Sequence, residues 1–200
     1  MIIDKDSPDK GSASAYKDKE RERAKALLAG QNRILQLIHE DRPLPEILTT
    51  ICTTLEAQVE GMLCSVLLLD EQGQRLLHGA APGLPPDYCA AVHGLAIGPA
   101  VGSCGTAAFT GQPVLIEDIA THPSWAGIRE LAVDKHGLRA CWSTPIRSYE
   151  GQVVATFAMY YRVPKLPSLH ERKLIDFSSH LVAIAVNRHR DRAELERGGG

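Results

Sequence analysis

Apolar residues recur at Leu27, Leu28, Ile34, Leu35 and Ile38. This is the three-to-four-residue rhythm of one helix face, and it predicts a helix that continues to about residue 39. Residues 17–23 (KDKERER) place a mixed-sign run ahead of it, the mark of a solvated helix and not of a single-sign binding patch. Gly30 weakens this helix by about 1 kcal/mol relative to alanine. Asp41-Arg42-Pro43 ends it and starts another, proline being tolerated in a first turn. Leu44, Ile47, Leu48, Ile51 and Leu55 then mark the buried stripe of a second helix reaching about residue 59.

From Met62 the rhythm shortens. MLCSVLLLD followed by Glu71-Gln72-Gly73 predicts a buried strand and a hairpin turn, with the return strand over 75–81. A short helix is expected over 87–92, a glycine-rich loop over 98–105 (GPAVGSCG), a short helix over 106–110 and a strand over 114–117. A helix over 126–135 stops at His136-Gly137. Strands over 138–147 and 152–162, joined by Ser148-Tyr149-Glu150-Gly151, form the clearest hairpin in the chain. In the second of them both alternating sets, Val153, Ala155, Phe157, Met159 and Val154, Thr156, Ala158, Tyr160, are largely apolar. A strand that is apolar on both faces is covered on both. The terminal helices supply one cover and residues 85–136 the other, with room for a pocket beneath. Ser168-Leu169-His170-Glu171 is a capping box. The last helix carries two apolar sets, Leu174, Phe177, Leu181, Ile184 and Ile175, Val182, Ala185, which predict one partner within the chain and one outside it. Residues 1–16 are expected to be a flexible tail and 191–200 a linker or truncation point, leaving 17–190 as the domain.

Two hundred residues suit one domain with helical extensions. A formal net charge of −2 makes no electrostatic case for binding nucleic acid. The longest apolar run spans only residues 62–69, against the roughly 20 residues of a membrane helix. The start, Met1-Ile2-Ile3-Asp4-Lys5-Asp6, is polar at once and reads as no signal peptide. Five cysteines, an odd number without a Cys-x-x-Cys pair, point to reduced thiols in a cytoplasmic protein.

Cys104 sits in Gly102-Ser103-Cys104-Gly105. Glycines let backbone approach a ligand, and a following helix N-terminus lowers a thiol pKa. The residue is either a sensor thiol lining a pocket or a small hydrophobe at a tight turn. Cys141 and Trp142 are adjacent on a strand and therefore face opposite sides. A Cys104–Cys141 redox pair is open on sequence alone. His93, His122 and His136 all fall in the pocket-side segment, where a neutral imidazole can ligate a haem iron. No two histidines have metal-ligand spacing on one helix, and no Walker loop, Rossmann fingerprint, nucleophile elbow or zincin motif is present.

The order helix–helix, hairpin, glycine loop, helix, hairpin, long helix resembles the GAF domain over about residues 25–190. The stretches that carry the resemblance are GSCGTAAFTGQPVLIEDIATHPSW, LRACWSTPI and GQVVATFAMYY. They are similar to the GAF subgroup found beside PAS, diguanylate-cyclase, phosphodiesterase or histidine-kinase modules in bacterial signalling proteins, in two-component and cyclic-di-GMP systems. The resemblance implies an α+β fold: a central antiparallel sheet of about six strands, terminal helices on one face and a small-molecule pocket on the other. It also implies parallel homodimers through the terminal helices and an output module. GAF domains that hold bilins use a Cys followed closely by His, and no cysteine here is followed by His. The cyclic-nucleotide signature has an Asn-Lys pair at the end of the last central strand, where this chain reads Tyr160-Tyr161-Arg162-Val163-Pro164. Free methionine sulfoxide reductases share the Gly-x-Cys-Gly loop but use a cysteine shortly upstream and another in a later loop. Here 91–101 contain no cysteine, and the later loop offers Trp125.

The expected ligand-binding residues are Cys104, Thr106, Asp118, Trp125, Arg129, Cys141, Ser143 and Tyr161, with Arg129 suited to clamp a carboxylate or phosphate. The expected role is sensing without catalysis. The ligand and any cofactor are unknown, and a Cys104-based redox sensor or thiol enzyme and a ligand-free dimerisation module stand as the other readings.

Overall fold

The structure, a computed structural model, describes residues 10–198, with side chains from 17 to 197. Two helices, α1 (Lys10–His39) and α2 (Leu44–Glu56), precede the hairpin β1 (Leu63–Leu69) and β2 (Arg75–Ala80). Then come α3 (Pro86–Val92), β3 (Leu95–Ala96), α4 (Gly102–Thr110) and β4 (Val114–Ile116). A 3-10 turn, Pro123–Trp125, and a π-helical turn, Glu130–Lys135, lead to the hairpin β5 (Ala140–Arg147) and β6 (Val153–Tyr161), and α5 (Leu169–Gly198) closes the chain. The six strands form one antiparallel sheet in the order β3-β2-β1-β6-β5-β4, the α+β arrangement expected.

Each face of the sheet carries its own core. On one, α1, α2 and α5 bury Ile34, Leu48, Ile51, Leu55, Val182 and Ala185 against Val66, Trp142, Phe157 and Met159. On the other, α3, α4 and the 123–138 segment bury Tyr88, Cys104, Trp125, Ala132 and Leu138 against Leu67, Cys141, Ala158 and Tyr160. Cys141 and Trp142 fall on opposite sides, as alternation requires.

Several limits differ from expectation. Helix runs over residues 10–16 and 191–198, within the segments expected as tail and linker, while 1–9 and 199–200 lie outside the described residues. Extending an existing helix adds one hydrogen bond per residue fixed. The flanking Lys, Arg, Glu and Ala are strong helix formers, and the Arg192–Glu196 pair at 2.9 Å is one of their local contacts. Helix α4 begins at Gly102, so Cys104 lies in its first turn and not in a loop before it. A Cβ on Gly105 would stand 2.9 Å from Val101 Cβ, so only glycine lets this turn fold back. Of the helix expected over 126–135, only Glu130–Lys135 is helical, as a π turn that follows the 3-10 turn Pro123–Trp125; it puts Ala132 in the core and its carbonyl 2.9 Å from the Leu138 amide. Strand β3 is too short to show a period. Gly30, weak as a helix residue, is where α1 meets α2: a Cβ there would lie 2.3 Å from Thr54 Cγ2.

The two apolar sets on α5 do not divide as expected. Leu174 and Leu181 are buried in the chain's own core together with Ile175, Val182 and Ala185. Only Phe177 and Ile184 are half-exposed. On α1, Ile34 is internal, whereas Leu28 and Leu35 are 58% and 39% exposed.

Candidate functional site

Antiparallel register arranges the pocket face in rows. Cys141 pairs with Tyr160 and Tyr160 with Leu63; Ser143 pairs with Ala158 and Ala158 with Ser65; Pro145 pairs with Thr156 and Thr156 with Leu67. Because alternate residues share a face, this puts the hydroxyls of Ser65, Ser143, Thr156 and Tyr160 on one floor, all buried. Tyr160 Oη lies 3.3 Å from Ser65 Oγ and 3.6 Å from Cys104 Sγ. The edge of the Tyr88 ring meets the Tyr160 ring with centroids 6.0 Å apart.

Helix α4 is pinned onto this floor. Ser103 Oγ donates to the Cys141 carbonyl at 3.3 Å, and Trp125 Nε1 donates to Ser103 Oγ at 3.3 Å. The next residue, Cys104, therefore hangs over Cys141 and Tyr160. Between roof and floor lies a cavity of about 10 Å³, lined by Tyr88, Val92, Cys104, Trp125, Ile128 and Tyr160 among others. That is room for about one water. Wider hollows of about 280 and 500 Å³ run along the outer end of α5, open to solvent and away from the polar floor.

The two thiols of the site are driven in opposite directions. The Cys141 thiol, donating a hydrogen bond, holds Cys104 below its ordinary pKa, with the Ser143, Tyr160 and Thr156 hydroxyls adding to it and overcoming the opposing effect of burial. Burial pushes Cys141 up, and its bond to Cys104 pushes it further. Ser143 Oγ and Thr156 Oγ1 are completely buried and make no hydrogen bond at ordinary geometry.

A family model described as GAF domain matches residues 41–187. The chain belongs to the GAF family. It is 36% identical over 167 residues to a methyl sulfide methyltransferase-associated sensor of Methanosarcina acetivorans. That match covers 84% of this chain and 17% of the relative's length, so this GAF chain spans about a sixth of the relative. Its fold is shared with the GAF domain of a phosphoenolpyruvate-protein phosphotransferase from Coxiella burnetii, with a TM-score of 0.66 at 18% identity, covering 85% of this chain and 98% of that one. It is shared too with a free methionine-R-sulfoxide reductase from Neisseria meningitidis, with a TM-score of 0.65 at 12% identity, covering 96% and 98%.

Within this GAF domain the expected site residues separate into groups. Cys104 and Trp125 line the cavity, and Cys141 and Ser143 lie on the floor beside Cys104. Thr106 stands beside it, half-buried, donating to the Gly102 carbonyl at 2.7 Å and accepting from the Val101 amide at 3.1 Å. Its hydroxyl is committed to shaping the start of α4. Asp118 is bound by Arg139 through two contacts of 3.0 and 2.6 Å, and the guanidinium holds its carboxyl below the usual range. Arg129 donates from Nη2 to the His122 carbonyl at 3.1 Å within the roof segment, while its Nε is buried without a partner.

Tyr161 is a correction. It lies on the helix face, stacked on Trp142 with ring centroids 4.9 Å apart and donating its hydroxyl to Glu171. The strand's alternation places Tyr160, not Tyr161, on the pocket side. The histidines each have a local partner. His93 Nδ1 accepts from the His78 amide at 3.0 Å, His122 Nδ1 lies 2.7 Å from Ser124 Oγ, and His136 Nε2 lies 2.9 Å from Asp87. Among the described residues no cluster of three His, Cys, Asp or Glu side chains is placed to hold a metal. Ser65, Thr156 and Tyr160 were not anticipated as site residues. Their signal was the presence of polar members in an otherwise apolar alternating set, legible once Cys141 is assigned to the pocket face.

Proposed function

We propose that this GAF domain is a sensory module that binds a small molecule between the polar floor of the sheet and the roof of α3, α4 and residues 123–136, and that it binds without catalysing. The observation that carries this reading is the convergence of four buried hydroxyls on one face, beneath a roof of short elements. A sheet face that served only for packing has no use for them, since each buried polar group costs free energy unless it is partnered. The family and the sensor relative support the same reading.

The narrow cavity is one state of such a sensor. A ligand larger than water binds an open arrangement of the roof and shifts the population toward it. The roof is tied at its far side by Asp87, which contacts Lys135 at 2.7 Å and His136 at 2.9 Å, so α3 and the π turn move together. The change reaches α1 and α5, which pair in a homodimer through Leu28, Leu35, Phe177 and Ile184 and pass it to an output module. Each leucine buried at such a seam contributes roughly 1.5–3 kcal/mol.

Native mass spectrometry with an absorption spectrum, on protein purified from its own host, tests the binding step. A retained molecule lost in the Ser143→Ala/Thr156→Val double variant supports it. Wild-type protein that carries nothing from its host, and binds nothing from a host extract, overturns it.

A further inference from the structure

We propose that Cys104 and Cys141 form a redox-responsive dithiol, closed to an intramolecular disulfide by hydrogen peroxide entering the cavity between α4 and the sheet. The placement of the two residues is over-determined. Ser103, adjacent to Cys104, donates to the carbonyl of Cys141 itself. Cys104 Sγ contacts Tyr160 Oη, and Tyr160 is the cross-strand partner of Cys141. Both thiols are free and buried. The cavity volume limits the oxidant: a space of about 10 Å³, room for about one water, admits hydrogen peroxide only as the roof gives slightly and excludes a glutathione-sized disulfide.

The surroundings give the two sulfurs different tasks. Ser143 Oγ and Thr156 Oγ1 find no acceptor at ordinary geometry while Cys104 is a neutral thiol, although both face it. A thiolate is a far stronger acceptor, so ionisation of Cys104 supplies what these hydroxyls lack. The arrangement is a preformed set of donors around one sulfur, the feature that makes a buried cysteine nucleophilic. Cys141 keeps its proton and donates it, which suits the resolving partner.

Chemically, the Cys104 sulfur attacks one oxygen of hydrogen peroxide. The S–O bond forms, the O–O bond breaks, and the displaced hydroxide takes the proton that left Cys104, giving water and a sulfenic acid. The Cys141 sulfur then attacks the Cys104 sulfur. The S–S bond forms, the S–O bond breaks, and the departing hydroxide takes the Cys141 proton as a second water. Two electrons pass from the pair of sulfurs to the peroxide. The product ties the first turn of α4 to β5 and locks the roof shut, and a dithiol reductant reverses it. This proposal does not rest on the binding of a small molecule, so either can fail alone.

The test treats the reduced chain, held under inert gas, with hydrogen peroxide, blocks the remaining thiols, and maps peptides without reductant. The expected result is an intact mass lower by two hydrogens, a single Cys104–Cys141 linked peptide, and full reversal by dithiothreitol. Cys104 should react at least about tenfold faster than Cys52. In Cys141→Ser, Cys104 should be trapped as a sulfenic acid by dimedone, and Cys104→Ser should give neither product. Wild-type protein in which Cys104 stays unmodified, links to another cysteine, or passes to the sulfinic acid without linkage overturns the proposal. The wild-type map decides the matter even if a variant folds poorly.

Discussion

The two faces of the sheet bury the same residue type in different polar surroundings. On the helix face, Cys52 and Cys64 are neighbours among Ile, Leu and Val, with Glu56 nearby accepting from the Cys64 amide at 2.8 Å. Burial and the Glu56 carboxylate both push these thiols up. On the pocket face, Cys104 is also buried, yet the Cys141 thiol and three hydroxyls hold it down. Depth of burial therefore does not set thiol chemistry; the polar groups within reach do. One face is an inert core, and the other is a core whose polar floor leaves partners unmet.

The largest effect that tests this contrast belongs to the helix face. Trp142 is fully buried against Tyr161, with the Lys165 ammonium 5.7 Å from its ring and 4.3 Å from that of Tyr161, and its Nε1 donates to the Lys165 carbonyl at 3.0 Å. Trp142→Ala should cost about 3–5 kcal/mol in denaturant melts. A loss under about 1 kcal/mol would mean that this face is not the structural one.

Next comes the anchor of α5. Burial acts to raise the Glu171 pKa, but Lys165, the Tyr161 hydroxyl and Ser168 outweigh it and hold the carboxyl down to about 2. A group depressed in the folded state lends stability above its unfolded pKa and loses it as pH falls through the folded one. Stability should therefore decline as pH falls from about 4.5 toward 2. Glu171→Gln should lower stability at neutral pH and flatten that part of the curve, and an unchanged acid profile would show that the cluster does not hold the helix.

On the pocket face the sign should reverse. Thr156→Val removes an unpartnered hydroxyl at nearly constant shape, so it should be neutral or stabilise by about 1 kcal/mol. The same variant should slow alkylation of Cys104. A clear destabilisation would show that the hydroxyl already has a good partner.

The smallest change in fold stability is expected outside both cores. Leu28→Asp with Leu35→Asp should stay within about 0.5 kcal/mol of wild type per site, as surface substitutions do, yet halve the mass seen by sedimentation. Leu181→Asp should unfold the chain, because Leu181 is only 3% exposed and internal. A wild-type chain that is monomeric at working concentration would remove the dimer from the proposal.

Much of the fold was legible because it depends on local periods. The hairpin of β5 and β6, the stripe of α2 and the Ser168–Glu171 capping box all repeat within a few residues. The box is present, with Glu171 Oε2 accepting from the Ser168 amide at 2.9 Å. The misplaced elements are those whose geometry answers to neighbours. Helix α4 starts early because Gly105 can close over Val101, and the 126–135 segment widens to seat Ala132. Of the expected residues, Cys104 stands out by its glycine motif and Cys141 by strand alternation, and both lie at the cavity or its floor. Asp118, Arg129 and Tyr161 are engaged with Arg139, the His122 carbonyl and Trp142, since a polar or aromatic side chain in the right segment carries no label for its direction.

What the chain determined by itself was its set of elements, their order, and which residues share a strand face, since these follow from periods of 2 and 3.6 residues and from turn chemistry. Tertiary structure alone decided that Cys104 hangs over Cys141, because the two are brought together by a helix folding back across a sheet whose register no local pattern reveals. It also decided which thiol gives up its proton more easily. That depends on hydroxyls from β5 and β6 and on Tyr160, which converge only when the strands are paired.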